Sequence, residues 1–403
     1  MTAVVVCVIG GGASGMMAAL TASEHPANEV ILIERQARLG RKLLATGNGR
    51  CNLSNSNAAL SHYHGQQAAF CKKALEAFDV EQTLAYFRSL GLLTVQEESG
   101  RIYPASDSAN SVADVLRLHL EQRKNVRLLT GCEVSNIKKC GNSFTVFTDA
   151  DNLICDRVIL CAGGVAGGKL GGTDAGYRLL GNLGHSRTKL YPALVQIKTD
   201  PTLVRSLKGV RCEALVRFED EERRGELQFT DYGLSGPVIF EISRYISTSG
   251  GKGMVQIDLL PHTGEGKLKL LLAQRVKDLP ELPAEHLLVG LLHNRLGRTV
   301  LRACGFAFEQ SCGSFKPGDL KRIAQKIKCL QLEVQGVMGM DAAQVTAGGI
   351  LTSEFDPETM ESLLCPGLYA AGEVLDIDGD CGGYNLQWAW SSGRLAGQLK
   401  GKL

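Results

Sequence analysis

VVVCVIGGGASG, residues 4–15, decides the fold of this chain. Val4 to Ile9 is a continuous apolar run, mostly β-branched, the pattern of a strand buried on both faces. It runs straight into Gly10-Gly11-Gly12-Ala13-Ser14-Gly15. Met16 to Ala22, rich in Ala, Met and Leu, predicts a helix; His25-Pro26-Ala27-Asn28 breaks it, and Val30 to Ile33 is a second short apolar strand ending in Glu34. This is one βαβ unit of about 30 residues. Gly10-x-Gly12-x-x-Gly15 thus lies between a strand and a helix, with an acid closing the next strand, which is the context of a dinucleotide fingerprint. The glycines permit a tight turn and bring backbone N–H groups to a pyrophosphate. Glu34, about 20 residues after Gly15, can accept hydrogen bonds from an adenosine ribose. A carboxylate there repels a 2′-phosphate, which favours FAD or NAD over NADP.

Working outward, residues 66–90 and 112–120 carry apolar side chains at helical spacing and read as crossover helices. Val126 to Leu129, Phe144 to Phe147 and Val158 to Cys161 read as strands that continue the sheet to about residue 164. Short alternating segments follow at Leu194 to Ile197, Glu213 to Phe218, Glu226 to Phe229 and Met254 to Asp258, predicting a small antiparallel sheet or barrel. Leu268 to Val276, His286 to Leu296 and Leu320 to Ile327 then return to helical periodicity. The expected fold is α/β: a discontinuous Rossmann-like domain, 1–188 and 346–403, interrupted by a barrel-like domain (189–262, return strand near 330–345) and a helical subdomain (263–329).

The 403 residues hold 44 Lys plus Arg against 42 Asp plus Glu, a formal charge of +2, so no global electrostatic pull toward nucleic acid or an anionic membrane is expected. The N-terminal apolar run stops at Ile9, too short for a signal sequence or a membrane span. Thirteen cysteines include no C-x-x-C pair and no zinc spacing, which suits free thiols in a reducing cytoplasm and speaks against a metal centre. Gly, at 47 residues, is in excess, and phosphate-cradling loops are one explanation.

Three more segments bear on the cofactor. Gly40 to Asn52 (GRKLLATGNGRCN) places three cations, three glycines and two amides past the second strand. Val158 to Gly164 and Gly367 to Glu373 are both strands running into glycine. A chain that bends to one ligand at several points suits the long FAD molecule better than NAD. These runs, with GRIYPASDSANSV (100–112), FTDYGLSGPV (229–238), VTAGGI (345–350) and GLYAAGEVLDIDGDCGGYNLQWAWSSGRLAG (367–397), resemble the BaiN/YhiN-like flavoproteins over nearly the whole chain. That family includes enzymes called aminoacetone oxidases and proteins encoded with bile-acid dehydroxylation genes. The resemblance implies a flavoprotein of the two-dinucleotide-binding-domain type with non-covalent FAD.

Carried over by position, it implies Gly10, Gly12, Ala13, Ser14 and Gly15 at the pyrophosphate and Glu34, with Arg35, at the adenosine ribose. It implies Arg41, Lys42, Thr46, Gly47, Asn48, Gly49, Arg50, Cys51 and Asn52 around the ribityl and flavin, and Val134 at the adenine. Cys161, Ala162 and Gly163 would line the cofactor, Gly372 and Glu373 the ribityl phosphate, and Asn385, Leu386 and Gln387 the pyrimidine end. A helix starting near Asn385 would aim N–H groups at the reduced flavin's charge. Arg50, Asn52 and Tyr384 are the candidate catalytic residues. Cys51 and Cys381 would need a depressed pKa to act as nucleophiles. His62 and His64 read as solvated side chains, Asp376 to Asp380 as a solvated acidic loop, and Lys321, Arg322, Lys326 and Lys328 as a solvated helix face.

The function expected is a cytoplasmic FAD-dependent oxidoreductase exchanging a hydride with a small organic substrate, in one version an aminoacetone-like amine oxidase. Two readings stay open beside it: a reductase of an unsaturated, steroid- or bile-acid-like substrate, with NAD(P)H as a transient reductant, and a flavin-bearing RNA-binding or RNA-modifying protein. A small-molecule partner, no membrane and no nucleic acid are expected.

Overall fold

The computed structural model describes residues 4–400. The chain forms two units: one runs to Tyr191 and resumes at Gln344, the other is Pro192–Ala343.

The first unit is built on a parallel five-stranded sheet: β1 (Val4–Ile9), β2 (Asn28–Glu34), β3 (Val126–Thr130), β4 (Arg157–Leu160) and β5 (Leu368–Ala370), in the order β5-β4-β1-β2-β3. Val6, Val8, Val30, Leu32, Ile159 and Leu368 are fully buried, as continuous apolar runs in a covered parallel sheet should be. Register fixes where the chain leaves the sheet. Ile9 pairs with both Ile33 and Leu160, and Leu160 with Ala370, so Gly10, Cys161 and Ala371 step off at one level of the carboxyl edge, where Glu34 closes β2. Ligands of open parallel sheets bind beyond this edge.

Helix α1 (Ala13–Ala22) follows β1 and packs against the late helix α2 (Tyr384–Gly397). The contact is backbone to backbone: a Cβ at Gly393 would lie 2.4 Å from Ser14 O, and one at Gly397 2.6 Å from Ala18 O. The buried indoles of α2 fasten it, Trp388 Nε1 donating to Gly372 O (3.1 Å) and Trp390 Nε1 to Leu53 O (2.9 Å).

The second unit contains a closed six-stranded barrel of residues 197–199, 233–235, 221–229, 211–218, 253–258 and 330–337, in that order around the wall. Helices Glu265–Asp278, Asn294–Ala303 and Pro317–Lys328 share one hydrophobic core with it.

Local chemistry explains where the structure departs from the periodicity. Ser143–Thr148 is the middle of a separate antiparallel sheet with Val134–Cys140 and Asn152–Cys155, and its alternating burial suits that half-covered position. The helical stretch 66–90 is cut at Asp79, whose carboxylate accepts from Gln82 N (2.8 Å) while Gln82 Oε1 accepts from Asp79 N (3.0 Å), a capping box that starts a new helix. Residues 286–296 are not one helix: Gly290 takes φ +82°, and the helix begins at Asn294 after His293 caps Arg295 N. Pro237–Thr248, unforeseen, is a helix with Pro at its first turn.

Candidate functional site

The glycine turn after β1 is shaped by backbone. Gly10 has φ +106° and its Cβ would lie 2.4 Å from Cys161 O; a Cβ at Gly15 would lie 1.8 Å from Gly10 O. Gly12 differs: a Cβ there meets nothing within 4 Å, and as a glycine at the N-cap it offers α1 no side-chain cap among the described residues, which leaves room there for another acceptor. Gly163, with φ +71°, is equally open. Glu34 sits level with Gly10 and is held by two N–H groups, Gly11 N to Oε2 and Gln36 N to Oε1, both 2.7 Å. Arg35 turns away to the carbonyl of Gly171 (2.8 Å), and Arg41 donates to Gln36 Oε1 (2.6 Å). Val134 lines a cavity of about 690 Å³ with Asp174, Tyr177 and Arg187 among its walls, a volume within the ordinary range for ligands.

The segment after β2 is a wound loop. Gly47, Asn48, Gly49 and Cys51 all have left-handed φ (+58°, +57°, +87° and +62°), a conformation that costs the two non-glycines. Thr46 Oγ1 donates to Leu43 O, and Cys51 N to Thr46 O, which close the loop. Lys42 Nζ meets Glu373 Oε2 at 2.7 Å, and Glu373 Oε1 accepts from Thr346 N at 2.8 Å. Ser14 and Gly372 meet beside them: a Cβ at Gly372 would lie 2.6 Å from Ser14 Oγ. Ala162 packs under Gly176. The segments 10–15, 42–52, 161–163 and 372–373 therefore gather at one sheet edge.

Asn52 is 9% exposed, and its Oδ1 has no hydrogen-bond partner among the described residues. A buried amide oxygen without a donor is costly, so this atom marks where a ligand N–H is wanted. Gly383 at the start of α2 is its neighbour; a Cβ there would lie 3.0 Å from Oδ1. The other two catalytic candidates are held by protein. The Arg50 guanidinium lies 3.9 Å over the Tyr103 ring and is paired with Asp107 and Glu97. Tyr384 is buried, with His62 stacked on its ring at 4.3 Å.

At the head of α2 the side chains serve the fold. Asn385 exchanges hydrogen bonds with Gly379 (2.8 and 2.7 Å), and buried Gln387 joins Ser54, Phe78 O, Thr83 and Ser391. Leu386 packs against the core of this unit. A ligand at this helix would meet backbone N–H groups rather than these amides.

Several expectations need correction. His62 and His64 are not solvated: both bond to Asp380, Nδ1 to Oδ2 at 3.0 Å and Nε2 to Oδ1 at 2.7 Å. Burial would push the Asp380 pKa up, but the bonds to the two histidines outweigh it and hold it down. Nor is 376–380 an open acidic loop, since Asp376 and Asp378 are 3% and 1% exposed. Lys328 leaves the helix face to meet Asp258 at 2.5 Å. Burial pushes the Cys51 and Cys161 thiols up to about 12, so neither is a thiolate nucleophile.

One Ser–His–carboxylate array was not foreseen. His185 lies between Glu354 Oε2 (2.8 Å) and Ser362 Oγ (3.0 Å) and is stacked on Phe355. Ser362 is 4% exposed and its Oγ already accepts from Cys365 N and Leu364 N, so the array clips loops together and does not meet substrate. No group of three or more His, Cys, Asp or Glu among the described residues could hold a metal ion. No helix among them is long and apolar enough to cross a membrane.

Comparison with known proteins adds the following. A family model described as the HI0933-like protein Rossmann domain matches residues 4–399. A 3-dehydro-bile acid delta(4,6)-reductase of Clostridium scindens is 38% identical over 400 residues, 97% of this chain and 97% of that protein. Ribosomal RNA dihydrouridine synthases of Escherichia coli and Haemophilus influenzae are 30% and 28% identical, each over 96% of this chain and 95% of their own length.

Proposed function

The chain belongs to the HI0933-like Rossmann family, and on that premise we propose that it is an FAD-dependent reductase of a carbon–carbon double bond conjugated to a carbonyl. One observation carries this reading: two kinds of relative with different substrates, both matched almost end to end, have names that describe one bond change. A 3-dehydro bile acid with Δ4,6 unsaturation is a conjugated ketone, and dihydrouridine is uridine with its carbonyl-conjugated ring double bond saturated. Saturating the uracil ring or the Δ4 bond adds a hydride to the carbon β to the carbonyl and a proton to the α carbon, saturating the Δ6 bond adds the hydride at the vinylogous δ carbon and the proton at the γ carbon, and the reductant loses two electrons per bond. Neither name supports amine oxidation, so that version is set aside.

The residues present suit FAD. The open space at Gly12 and Gly163 and the uncapped head of α1 suit a pyrophosphate. Glu34 retains acceptor capacity for ribose hydroxyls, and Lys42, fixed by Glu373, supplies a cation at the same edge. Asn52 Oδ1 lacks the donor that an isoalloxazine N3–H provides. FAD bound there would supply the hydride, with NAD(P)H proposed as the source of its electrons. The protein's share is to hold the ring by Asn52 and to offer α2 backbone N–H groups to charge that builds on reduction.

The test is anaerobic single turnover. The FAD-loaded protein, reduced with dithionite, is mixed with a 3-oxo-Δ4,6 bile acid, with ribosomal RNA lacking dihydrouridine, or with buffer. Return of the oxidised-flavin spectrum with one of the first two, and not with buffer, supports the reading. Return with neither, together with bleaching of the oxidised protein by aminoacetone, overturns it.

A further inference from the structure

Positive charge is unevenly spread in the second unit. From His293 to Lys328 the only acids are Glu309 and Asp319, against eight Lys and Arg. Three of these cations are committed to the fold: Arg298 pairs with Glu285 (2.7 Å), Arg295 reaches the carbonyls of Ser206 and Lys208, and Lys328 meets Asp258. Three of the remainder, Arg302, Arg322 and Lys326, gather around one loop, and Lys321 precedes Arg322 on the same helix. The Arg302 guanidinium lies 5.2 Å from the Phe308 ring and that of Arg322 4.5 Å from Phe306. Phe306 in turn meets Phe315 edge-on at 4.9 Å. Cys304 Sγ donates to Arg322 O (3.9 Å), tying the end of helix Asn294–Ala303 to helix Pro317–Lys328, which also carries Lys321 and Lys326. Arg302, Lys321 and Arg322 are exposed, Lys326 is half-buried, and Asp319 is the acid that touches the group, 3.3 Å from Arg322 Nη2.

We propose that this face, Arg302, Arg322 and Lys326 around the loop 304–308 with exposed Lys321 on the same helix, is a contact surface for RNA. A guanidinium laid on a ring is held flat, with its N–H groups directed outward to phosphate oxygens. Cations interleaved with aromatic rings on one exposed face match a polymer of phosphates and planar bases better than a compact anion. The whole-chain charge of +2 conceals this face because acids elsewhere balance it. The inference rests on the reductase reading only in making a uridine of the bound RNA the carrier of the double bond.

The experiment uses the FAD-loaded protein and fluorescence anisotropy with a labelled RNA hairpin of mixed sequence, over a series of KCl concentrations. Polyglutamate and phosphatidylglycerol vesicles serve as parallel probes. The variant Arg302→Glu/Lys321→Glu/Arg322→Glu/Lys326→Glu should bind RNA at least about tenfold more weakly and flatten the log–log salt slope by about three. A neutral variant, Arg302→Gln/Arg322→Gln, should fall between, and Lys198→Glu/Lys252→Glu should bind as wild type. Equal RNA binding by the fourfold variant, no RNA binding beyond that of polyglutamate, or a loss confined to vesicle binding each overturns the proposal. Flavin content and melting temperature guard against misfolding. Reoxidation of the reduced variant by a free bile-acid dienone keeps the two ideas separate. If no double bond is reduced but these side chains still govern RNA binding, the surface stands and the reductase reading falls.

Discussion

Lys42 Nζ and Glu373 Oε2 lie 2.7 Å apart, joining residues 331 positions distant in sequence at the edge where the glycine turn opens. Both are partly buried, and Glu373 also holds Thr346 N, so the pair is a fixed polar wall and not a loose surface bridge. Lys42→Ala and Glu373→Ala should each weaken FAD binding about tenfold, and the double variant should be little worse than either. Fluorescence titration of apoprotein with FAD measures this; additive losses would show that the two side chains act separately.

Gly12 and Gly15 should respond differently to one added methyl. Gly15→Ala drives a Cβ against Gly10 O and should lower the melting temperature of the apoprotein. Gly12→Ala has room in the protein alone, so the apoprotein should melt within a few degrees of wild type while FAD binding falls. Calorimetry of both apo variants, beside their FAD content, makes the comparison. Normal FAD binding by Gly12→Ala would place the pyrophosphate elsewhere.

His185 should make the first unit sensitive to acid. Burial, the largest influence, pushes its pKa below the ordinary 6.5, although Glu354 pulls the other way. Above pH 6.5 the imidazole is neutral both folded and unfolded, and it contributes no slope. As pH falls below 6.5 the unfolded chain takes up a proton that the folded chain resists, so stability is lost through that window. Both tryptophans lie in the first unit, so urea unfolding followed by their fluorescence reports it selectively. His185→Gln should be less stable by about 1–3 kcal/mol at neutral pH, because Glu354 loses a buried partner, yet lose less on acidification. Parallel pH profiles would contradict this.

Cysteine chemistry should be absent from the reaction. With thiols pushed up to about 12, Cys51 and Cys161 carry about one thiolate in ten thousand near pH 8. Iodoacetamide should label exposed Cys140 in the native protein and spare both. Mass mapping of the labelled peptides decides the matter, and rapid native labelling of Cys51 would reopen its candidacy.

The dinucleotide edge was legible because its signals are consecutive: a β-branched run, a glycine turn, a helix and an acid closing the next strand. Strand runs into glycine at 158–164 and 367–373 were readable for the same reason. What could not be read depends on distant partners. His62 and His64 looked solvated because Asp380, which holds both, lies more than 300 residues away. Gln387 and Asn385 matched a motif, but whether an amide faces ligand or core is decided by packing, and here Ser54, Phe78 and Gly379 claim them. The helix at 237–248 was hidden because Val238, Ile239, Ile242 and Ile246 favour strands locally, and their burial in the second core overrides that preference. Asn52 was nameable as a candidate; that its oxygen lacks a donor is visible only in three dimensions.

The central claim is reduction of a conjugated double bond, and the most direct measurement is the mass of the product of one anaerobic turnover of the dithionite-reduced, FAD-loaded protein in D₂O. The account predicts oxidised flavin together with a dienone or uridine substrate that has gained two deuterium atoms across the double bond, one taken directly from solvent and one by way of the reduced flavin's N5–H, which exchanges with D₂O. Unchanged substrate with both carriers, from a protein that holds FAD and is oxidised only by oxygen, would contradict it.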